Sequence, residues 1–168
     1  AVGKWTPQFF KERFAQVEIR PSLFLPKTGV PYSQTEAAHR CVTLMSDLLE
    51  RMAAGERCYL DQSDISRFVG LEADYSFAWI NAAPVTTSLW IGSQTRSGLH
   101  YDLCDNWLVQ VYGQKKALLV SPQESRCLYP FHDNVTKSQV DPETPDLGAY
   151  NRVSDATVFT GDLEPGDN

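Results

Sequence analysis

The segment 98–102 reads Gly-Leu-His-Tyr-Asp and carries the side chains best suited to chemistry. In an extended backbone His100 and Asp102 project to the same face, because side chains two residues apart point the same way. An imidazole and a carboxylate so placed can take adjacent positions around one metal ion. A histidine from a distant strand would complete a facial triad with open positions for a bidentate co-substrate and for oxygen. Alone, the spacing is a weak indication, because it arises easily by chance.

Short apolar and aromatic runs between turns predict a mainly β domain around this segment. The predicted strands are Cys58–Leu60, Phe77–Ile80, Thr86–Ile91, Trp107–Tyr112, Ala117–Val120 and Thr157–Thr160. Turn residues separate most of them, which is typical of antiparallel β structure. Many short strands after a helical segment favour a β-barrel or a double-sheet jelly roll with a helical flank.

The first third of the chain predicts helices instead. Thr6 and Pro7 precede QFFKERF, which is typical of a helix with proline at its first position. Apolar residues at three- and four-residue steps predict a longer helix from Ser33 to Ala54, ended by Gly55. His39 lies on this helix without a partner at metal-ligand spacing, so we interpret it as a packed or solvated histidine.

Composition places the chain among ordinary globular proteins. Its 168 residues suffice for one core-forming domain, and the net charge of −6 disfavours nucleic acid as a partner. Cys41, Cys58, Cys104 and Cys127 form no CxxC pair, so we expect reduced thiols in a cytoplasmic protein. A disulfide framework and a nuclear location are the alternatives. The apolar runs are too short to span a membrane.

The segments around the His-x-Asp pair resemble the JmjC/cupin-like hydroxylases. Residues 89–92 read LWIG and residues 99–122 read LHYDLCDNWLVQVYGQKKALLVSP. The likeness continues through Cys127–Phe131, Ser138–Asp141, Thr144–Asp146 and Leu163–Asp167. It is greatest to the branch with the asparaginyl hydroxylase of hypoxia-inducible factor and the hydroxylase of tRNA wybutosine synthesis.

This resemblance implies a mainly β fold with flanking helices, a double-stranded β-helix (jelly roll) that is incomplete at its C-terminal end. We therefore expect residues 1–55 to form a helical flank and residues 56–168 the jelly-roll core. It also implies that His100 and Asp102 bind Fe(II). Lys115 would pair with the distal carboxylate of the co-substrate 2-oxoglutarate, which needs a cation once it is desolvated. Outside this context Lys115 would be interpreted as a solvated turn lysine.

The resemblance assigns three further residues to 2-oxoglutarate. Tyr59 and Ser97 would hydrogen-bond the distal carboxylate, and Ser97 takes a position that the family often fills with threonine. Asn106 would approach the metal-bound end of the co-substrate. The alternatives are a core aromatic for Tyr59 and a turn cap for Asn106.

The third metal ligand has no counterpart in this pattern. The family places a second histidine on the strand after the Gly-Asp turn, but Gly166 and Asp167 are followed by Asn168, where the sequence ends. His132 is a weak substitute in a turn-rich segment. We expect a piece of a longer chain that binds iron poorly by itself. A natural truncation without catalysis is the alternative.

Two functions follow from these expectations. The first is an Fe(II)- and 2-oxoglutarate-dependent dioxygenase that hydroxylates a protein side chain or another C–H substrate. Protein or peptide substrates are favoured, small molecules are an alternative, and oligomeric state is open. The second is a non-catalytic cupin-like binding or scaffold module that lacks the third ligand. A sugar-type cupin isomerase would need more histidines near the metal strand.

Overall fold

The computed structural model describes residues 1–26, 37–78, 80, 84 and 86–167. The chain divides into two compact units. The first unit comprises Ala1–Leu25 with Glu36–Thr95, and the second comprises Pro26–Thr35 with Arg96–Asn168. No helix in the described part of the chain is long and apolar enough to cross a membrane.

The described residues of the first unit include two α-helices, a helical stretch at residues 37–39 and two small antiparallel sheets. Its elements in chain order are α1 (Pro7–Phe14), β1 (Glu18–Ile19), β2 (Thr43–Leu44), α2 (Met45–Ala53), β3 (Cys58–Asp64) and β4 (Ser88–Ser93). Strand β1 pairs with β2, and β3 pairs with β4. Short 3₁₀ helices at Ile65–Arg67 and Leu71–Asp74 follow β3.

Helix α1 begins and packs as its sequence predicts. Thr6 Oγ1 accepts a hydrogen bond from the Phe9 backbone N–H at 3.2 Å, and Pro7 occupies the first turn. Phe10 and Phe14, one turn apart, are buried and meet Phe68 edge-on at ring-centroid distances of 6.1 and 5.4 Å. This aromatic cluster joins α1 to the core of the first unit.

The predicted helix from Ser33 to Ala54 is interrupted, because residues 37–39 are helical but residues 40–44 are not. Residues 33–36 lie outside the described residues, and α2 begins only at Met45. Residues 40–44 are extended instead, with the Cys41 N–H donating to Pro21 O at 3.0 Å and β2 pairing with β1. Backbone pairing with the neighbouring strand therefore outweighs the helical periodicity here. The predicted stop at Gly55 is confirmed, since it follows α2 with φ +83°.

The described residues of the second unit include a two-stranded antiparallel sheet and a long irregular stretch between its strands. Strands β5 (Lys115–Val120) and β6 (Val158–Leu163) pair antiparallel in continuous register from Lys115–Leu163 to Val120–Val158. Short 3₁₀ helices lie at Pro122–Leu128 and Asn151–Asp155. Among the described residues of this unit, Val140 is the one apolar side chain that is fully buried.

Two predicted strands are absent from the described residues. Residues 77, 78 and 80 form a turn in which Ile80 N–H donates to Phe77 O at 2.9 Å, and Trp79 lies outside the described residues. Residues 107–112 form no strand. There the Gln110 N–H donates to Asp167 O, and Gln110 O accepts from the Gly166 N–H, both at 2.9 Å. A single pair of bonds does not extend into a ladder.

The fold class is confirmed at a coarse level. Small antiparallel sheets with some helices agree with the predicted mainly β fold, and the predicted strands at Cys58–Leu60, Thr86–Ile91, Ala117–Val120 and Thr157–Thr160 overlap β3, β4, β5 and β6. A complete jelly roll stays a prediction, as does the missing C-terminal strand. The four cysteines are free, as expected.

Candidate metal and co-substrate site

The segment that carries His100 and Asp102 is held extended by a second segment of the same unit. The Ser138 N–H donates to Leu99 O at 2.9 Å, and the Tyr101 N–H donates to Thr136 O at 3.0 Å. His100 therefore stands opposite Lys137 in an antiparallel bridge. An extended backbone at this point directs His100 and Asp102 to the same side.

One ring nitrogen of His100 is already engaged. Its Nδ1 lies 2.7 Å from Gly98 O, and because a carbonyl oxygen only accepts, Nδ1 must carry the proton. In the neutral tautomer that this bond favours, Nε2 is the nitrogen left free to bind a metal, and the ring is exposed. A backbone carbonyl on the other nitrogen is the usual way in which a metal-binding histidine is oriented.

Asp102 is held by its own neighbour. The Asn106 side-chain amide donates to Asp102 Oδ2 at 2.5 Å, which leaves Oδ1 open. The resemblance assigns Asn106 to the co-substrate, which stays a prediction, and in this structure its amide contacts the Asp102 carboxylate. Both side chains are exposed. The bond fixes the direction of the carboxylate without using all of its acceptor capacity.

The segment opposite the His-x-Asp pair has its own anchors. The Ser138 hydroxyl donates to Leu128 O and accepts from the Val140 N–H at 2.9 Å, and Val140 is buried. Arg96 forms ion pairs with Asp141 and, at 3.2 Å, with Glu143. The Arg96 ion pairs join the two segments at one end, and the Ser138 hydroxyl joins the second segment to Leu128. Neither Arg96 nor Ser138 was assigned a role from the sequence, although Ser138 lies in the matched segment Ser138–Asp141.

Lys115 is the first residue of β5 and pairs across the sheet with Leu163. Partial burial lowers the pKa of the Lys115 ammonium, since desolvation disfavours the charged form. No hydrogen bond or ion pair to another described residue engages this ammonium. The adjacent Lys116 is exposed on the opposite face of the strand. Of the two lysines, Lys115 is therefore the one that would gain from an anionic ligand.

The remaining predicted residues belong to different units. Tyr59 lies on β3 of the first unit, buried, with its ring 5.8 Å from that of Trp90 and its backbone paired to Ser22. Ser97 and Asn106 are exposed in the second unit, which also contains Lys115. Trp90, which contacts Tyr59, was not singled out from the sequence except as part of a motif.

The donor set fits an iron site in part. An imidazole nitrogen and a carboxylate oxygen are ligands that Fe(II) accepts in a facial triad. No group of three or more histidine, cysteine, aspartate or glutamate side chains that could hold a metal occurs in the part of the chain that the structure describes. His132 thus joins no such group. The described residues therefore offer two of the three donor groups that such a triad needs.

A family profile described as "Cupin-like domain" matches residues 8–168. The chain belongs to this family. The predicted resemblance to JmjC/cupin-like proteins is thereby confirmed, and three curated relatives extend it. Lysine-specific demethylase 8 of Xenopus tropicalis is 38% identical over 85 residues, 49% of this chain and 19% of the relative. Human tRNA wybutosine-synthesizing protein 5 is 42% identical over 69 residues, 40% of this chain and 21% of the relative.

Jumonji C domain-containing protein 5 of Drosophila melanogaster is 28% identical over 140 residues, which is 78% of this chain and 29% of the relative. The chain thus spans between a fifth and a third of the length of these relatives. Relatives with different named activities match this chain, so the likeness supports the general class of a JmjC-type oxygenase.

Proposed function

We propose that this chain is the metal- and co-substrate-binding part of an Fe(II)- and 2-oxoglutarate-dependent dioxygenase that hydroxylates a C–H bond. The observation that supports it most is the paired, extended segment around His100, which carries one imidazole and one carboxylate at facial-triad spacing. Each of these two side chains is oriented by one hydrogen bond and keeps one donor atom open.

His100 Nε2 and Asp102 Oδ1 would hold the iron. The bound iron would supply an oxidation in which 2-oxoglutarate loses CO2 and becomes succinate, with one atom of O2 entering succinate and the other entering the C–H bond of the substrate. The chain's own contribution is orientation. Gly98 O fixes the tautomer of His100, and Asn106 fixes the carboxylate. The proposal requires a third ligand that the described residues do not supply.

Protein side chains would hold 2-oxoglutarate by the carboxylate that is distal to the metal. Burial lowers the pKa of the Lys115 ammonium because it disfavours the charged form. A carboxylate beside this ammonium would stabilise the charged form again. We assign the hydroxyls of Tyr59 and Ser97 to the same carboxylate. In this proposal residues 56–168 form the jelly-roll core and residues 1–55 flank it.

A protein or peptide side chain is the proposed substrate class. One relative is named as a lysine demethylase and another as a protein of tRNA wybutosine synthesis, so their names indicate different substrates. The net charge of −6 opposes the phosphate contacts that nucleic-acid binding needs. We therefore favour a protein substrate in the cytoplasm or nucleus, over a tRNA.

The decisive experiment measures succinate formation from 2-oxoglutarate by the full-length protein with Fe(II) and ascorbate. We expect wild-type turnover to depend on iron, and His100→Ala and Asp102→Ala to abolish it. His132→Ala is the matched control and should retain activity. The proposal is wrong if wild type shows no metal-dependent turnover, or if His132→Ala is inactive while His100→Ala is active.

A non-catalytic binding module is the second candidate, and the two-ligand donor set of the described residues favours it. Calorimetry with Mn(II) and an unreactive mimic of 2-oxoglutarate separates the two functions. Tight binding of the mimic that depends on the metal supports the dioxygenase. Absence of binding in the full-length protein supports the scaffold.

A further inference from the structure

A polar groove of about 410 Å³ lies on the first unit, between the end of β1 and the second half of β3. The charged and amide side chains that line it are Arg20, Arg40, Asp61, Gln62, Asp64 and Arg67. None of these residues is assigned to iron or to 2-oxoglutarate. A groove with three guanidinium groups is unusual on a chain whose net charge is −6.

The two carboxylates of the groove already have partners. Arg40 contacts Asp61 with both ends of its fork, Nη1 to Oδ1 at 2.5 Å and Nη2 to Oδ2 at 3.0 Å. Asp64 Oδ1 accepts from the Ser66 N–H at 2.9 Å. Hydrogen bonds from Ser66 lower the pKa of the Asp64 carboxyl, so it stays ionised and satisfied. Asp61 and Asp64 therefore do not use the N–H donors of the other two guanidinium groups, Arg20 and Arg67.

Two arginines hold those spare donors. Arg67 uses one Nη2–H on Glu18 O at 2.6 Å and keeps its other N–H groups. The exposed Arg20 guanidinium makes no hydrogen bond or ion pair to any described residue. A guanidinium fork matches the two oxygens of a carboxylate or phosphate.

The floor of the groove contains a backbone irregularity. The register of β3 against β4 shifts between Leu60 and Ser63, and Gln62 in that interval has φ +46°. A non-glycine residue in the left-handed region costs free energy and persists where the surroundings hold it, often beside a binding site. Here it exposes the Gln62 amide, a further N–H donor, on the lining of the groove.

We propose that this groove binds an oxyanion group, a carboxylate or a phosphate, presented by a ligand of the protein. Arg20 and Arg67 contact the anion, Gln62 donates to it, and the Arg40–Asp61 pair forms one wall. The site is independent of the dioxygenase proposal, because it uses residues of the first unit that have no role there.

The test is calorimetry of the full-length protein at low ionic strength, with inorganic phosphate and with acetate as separate probes. We expect saturable binding of at least one probe. Arg20→Gln should weaken it about fivefold to tenfold, the loss typical of one hydrogen bond at an exposed site. Since the Arg20 guanidinium makes no hydrogen bond or ion pair to a described residue, this variant should fold normally. Preference for phosphate or for acetate identifies the source of the oxyanion.

Arg57→Gln is the matched control, because it removes an arginine of the same unit. The Arg57 guanidinium donates to Gln94 and does not line the groove. This variant should bind both probes like wild type. Arg20→Lys, which keeps the charge and loses the fork, should fall between wild type and Arg20→Gln. The proposal is overturned if wild type binds neither probe. It is also overturned if Arg57→Gln and Arg20→Gln weaken binding equally, since that indicates general charge attraction.

Discussion

The Asn106 amide and the Asp102 carboxylate are joined by a hydrogen bond of 2.5 Å across four residues. This bond determines which carboxylate oxygen of Asp102 stays open, so in the proposed site Asn106 would act on the metal through its ligand. The resemblance connects Asn106 with the co-substrate, and a turn cap is the alternative. The contacts of Asn106 with Asp102 and with the co-substrate are compatible, because an amide has more than one N–H to donate.

Asn106→Ala should therefore weaken metal binding even without a co-substrate. We expect the Mn(II) dissociation constant of the full-length protein to rise about tenfold to a hundredfold, as is typical when a ligand's hydrogen-bond partner is removed. Titration followed by electron paramagnetic resonance measures it. Gln114→Ala, at an exposed turn position of the same unit, is the control. An unchanged constant in Asn106→Ala would remove this role from Asn106.

Lys115 and Lys116 offer an internal comparison, since they are adjacent and face opposite sides of β5. Lys115→Met should weaken binding of a 2-oxoglutarate mimic about a hundredfold, because the carboxylate loses its buried cation. Lys116→Met should change the affinity little. Calorimetry at constant Mn(II) gives both values. Equal losses in the two variants would contradict the assignment of Lys115.

The lowered pKa of Lys115 also predicts a pH dependence of stability without ligand. Below the folded-state pKa the lysine is charged in both states, and burial of the charge opposes folding. Between the folded and unfolded pKa values the unfolded chain binds more protons, so stability rises with pH. Urea unfolding from pH 7 to 10.5 should show this rise in wild type and not in Lys115→Met. A rise of the same size in both would assign it to another group.

The sequence predicted local structure well where a short-range signal decided it. The Thr6 cap, Pro7 and the paired phenylalanines determine α1 from within the nine residues Thr6–Phe14. Strand β5 begins after the Gly113 turn for a similar local reason, and Gly113 has φ +70°. These elements need no partner from elsewhere to be recognised.

The sequence failed where a distant segment decided the structure. Residues 40–44 have helical periodicity, but pairing with residues 18–22 keeps them extended. The same limit applies to the candidate site. The spacing of His100 and Asp102 is visible in the sequence, whereas the segment that holds them extended lies more than thirty residues later, at Thr136 and Ser138. Nothing local marks that pairing.

Val140 anchors the segment opposite His100, so its truncation should loosen the site from a distance. Val140→Ala should lower the free energy of unfolding by roughly 2 kcal/mol, from lost burial and the cavity left behind. Val135→Ala, at 60% exposure against 0% for Val140, is the matched control and should stay within about 0.5 kcal/mol of wild type. Urea unfolding measures both. Hydrogen exchange at Tyr101 and Ser138 should speed up in Val140→Ala alone, and unchanged exchange would deny Val140 this anchoring role.

Substitution of Gly92 tests how closely the backbone of β4 approaches the Tyr59 ring, and Gly161 on β6 is the control position. A Cβ at Gly92 would lie 2.6 Å from Thr95 Oγ1 and 2.9 Å from Tyr59 Cδ2, whereas a Cβ at Gly161 meets nothing within 4 Å. Gly92→Ala must displace the buried Tyr59 ring or the strand, and we expect a loss of about 1 to 3 kcal/mol in the free energy of unfolding. Gly161→Ala should be neutral or stabilising by up to about 1 kcal/mol, because alanine restricts the unfolded chain. Urea unfolding of the two variants measures the difference.

Binding of the 2-oxoglutarate mimic gives a second test of Tyr59. Weaker binding in Gly92→Ala alone would further support Tyr59 as a co-substrate residue, whereas unchanged affinity with a displaced ring would leave Tyr59 a core aromatic.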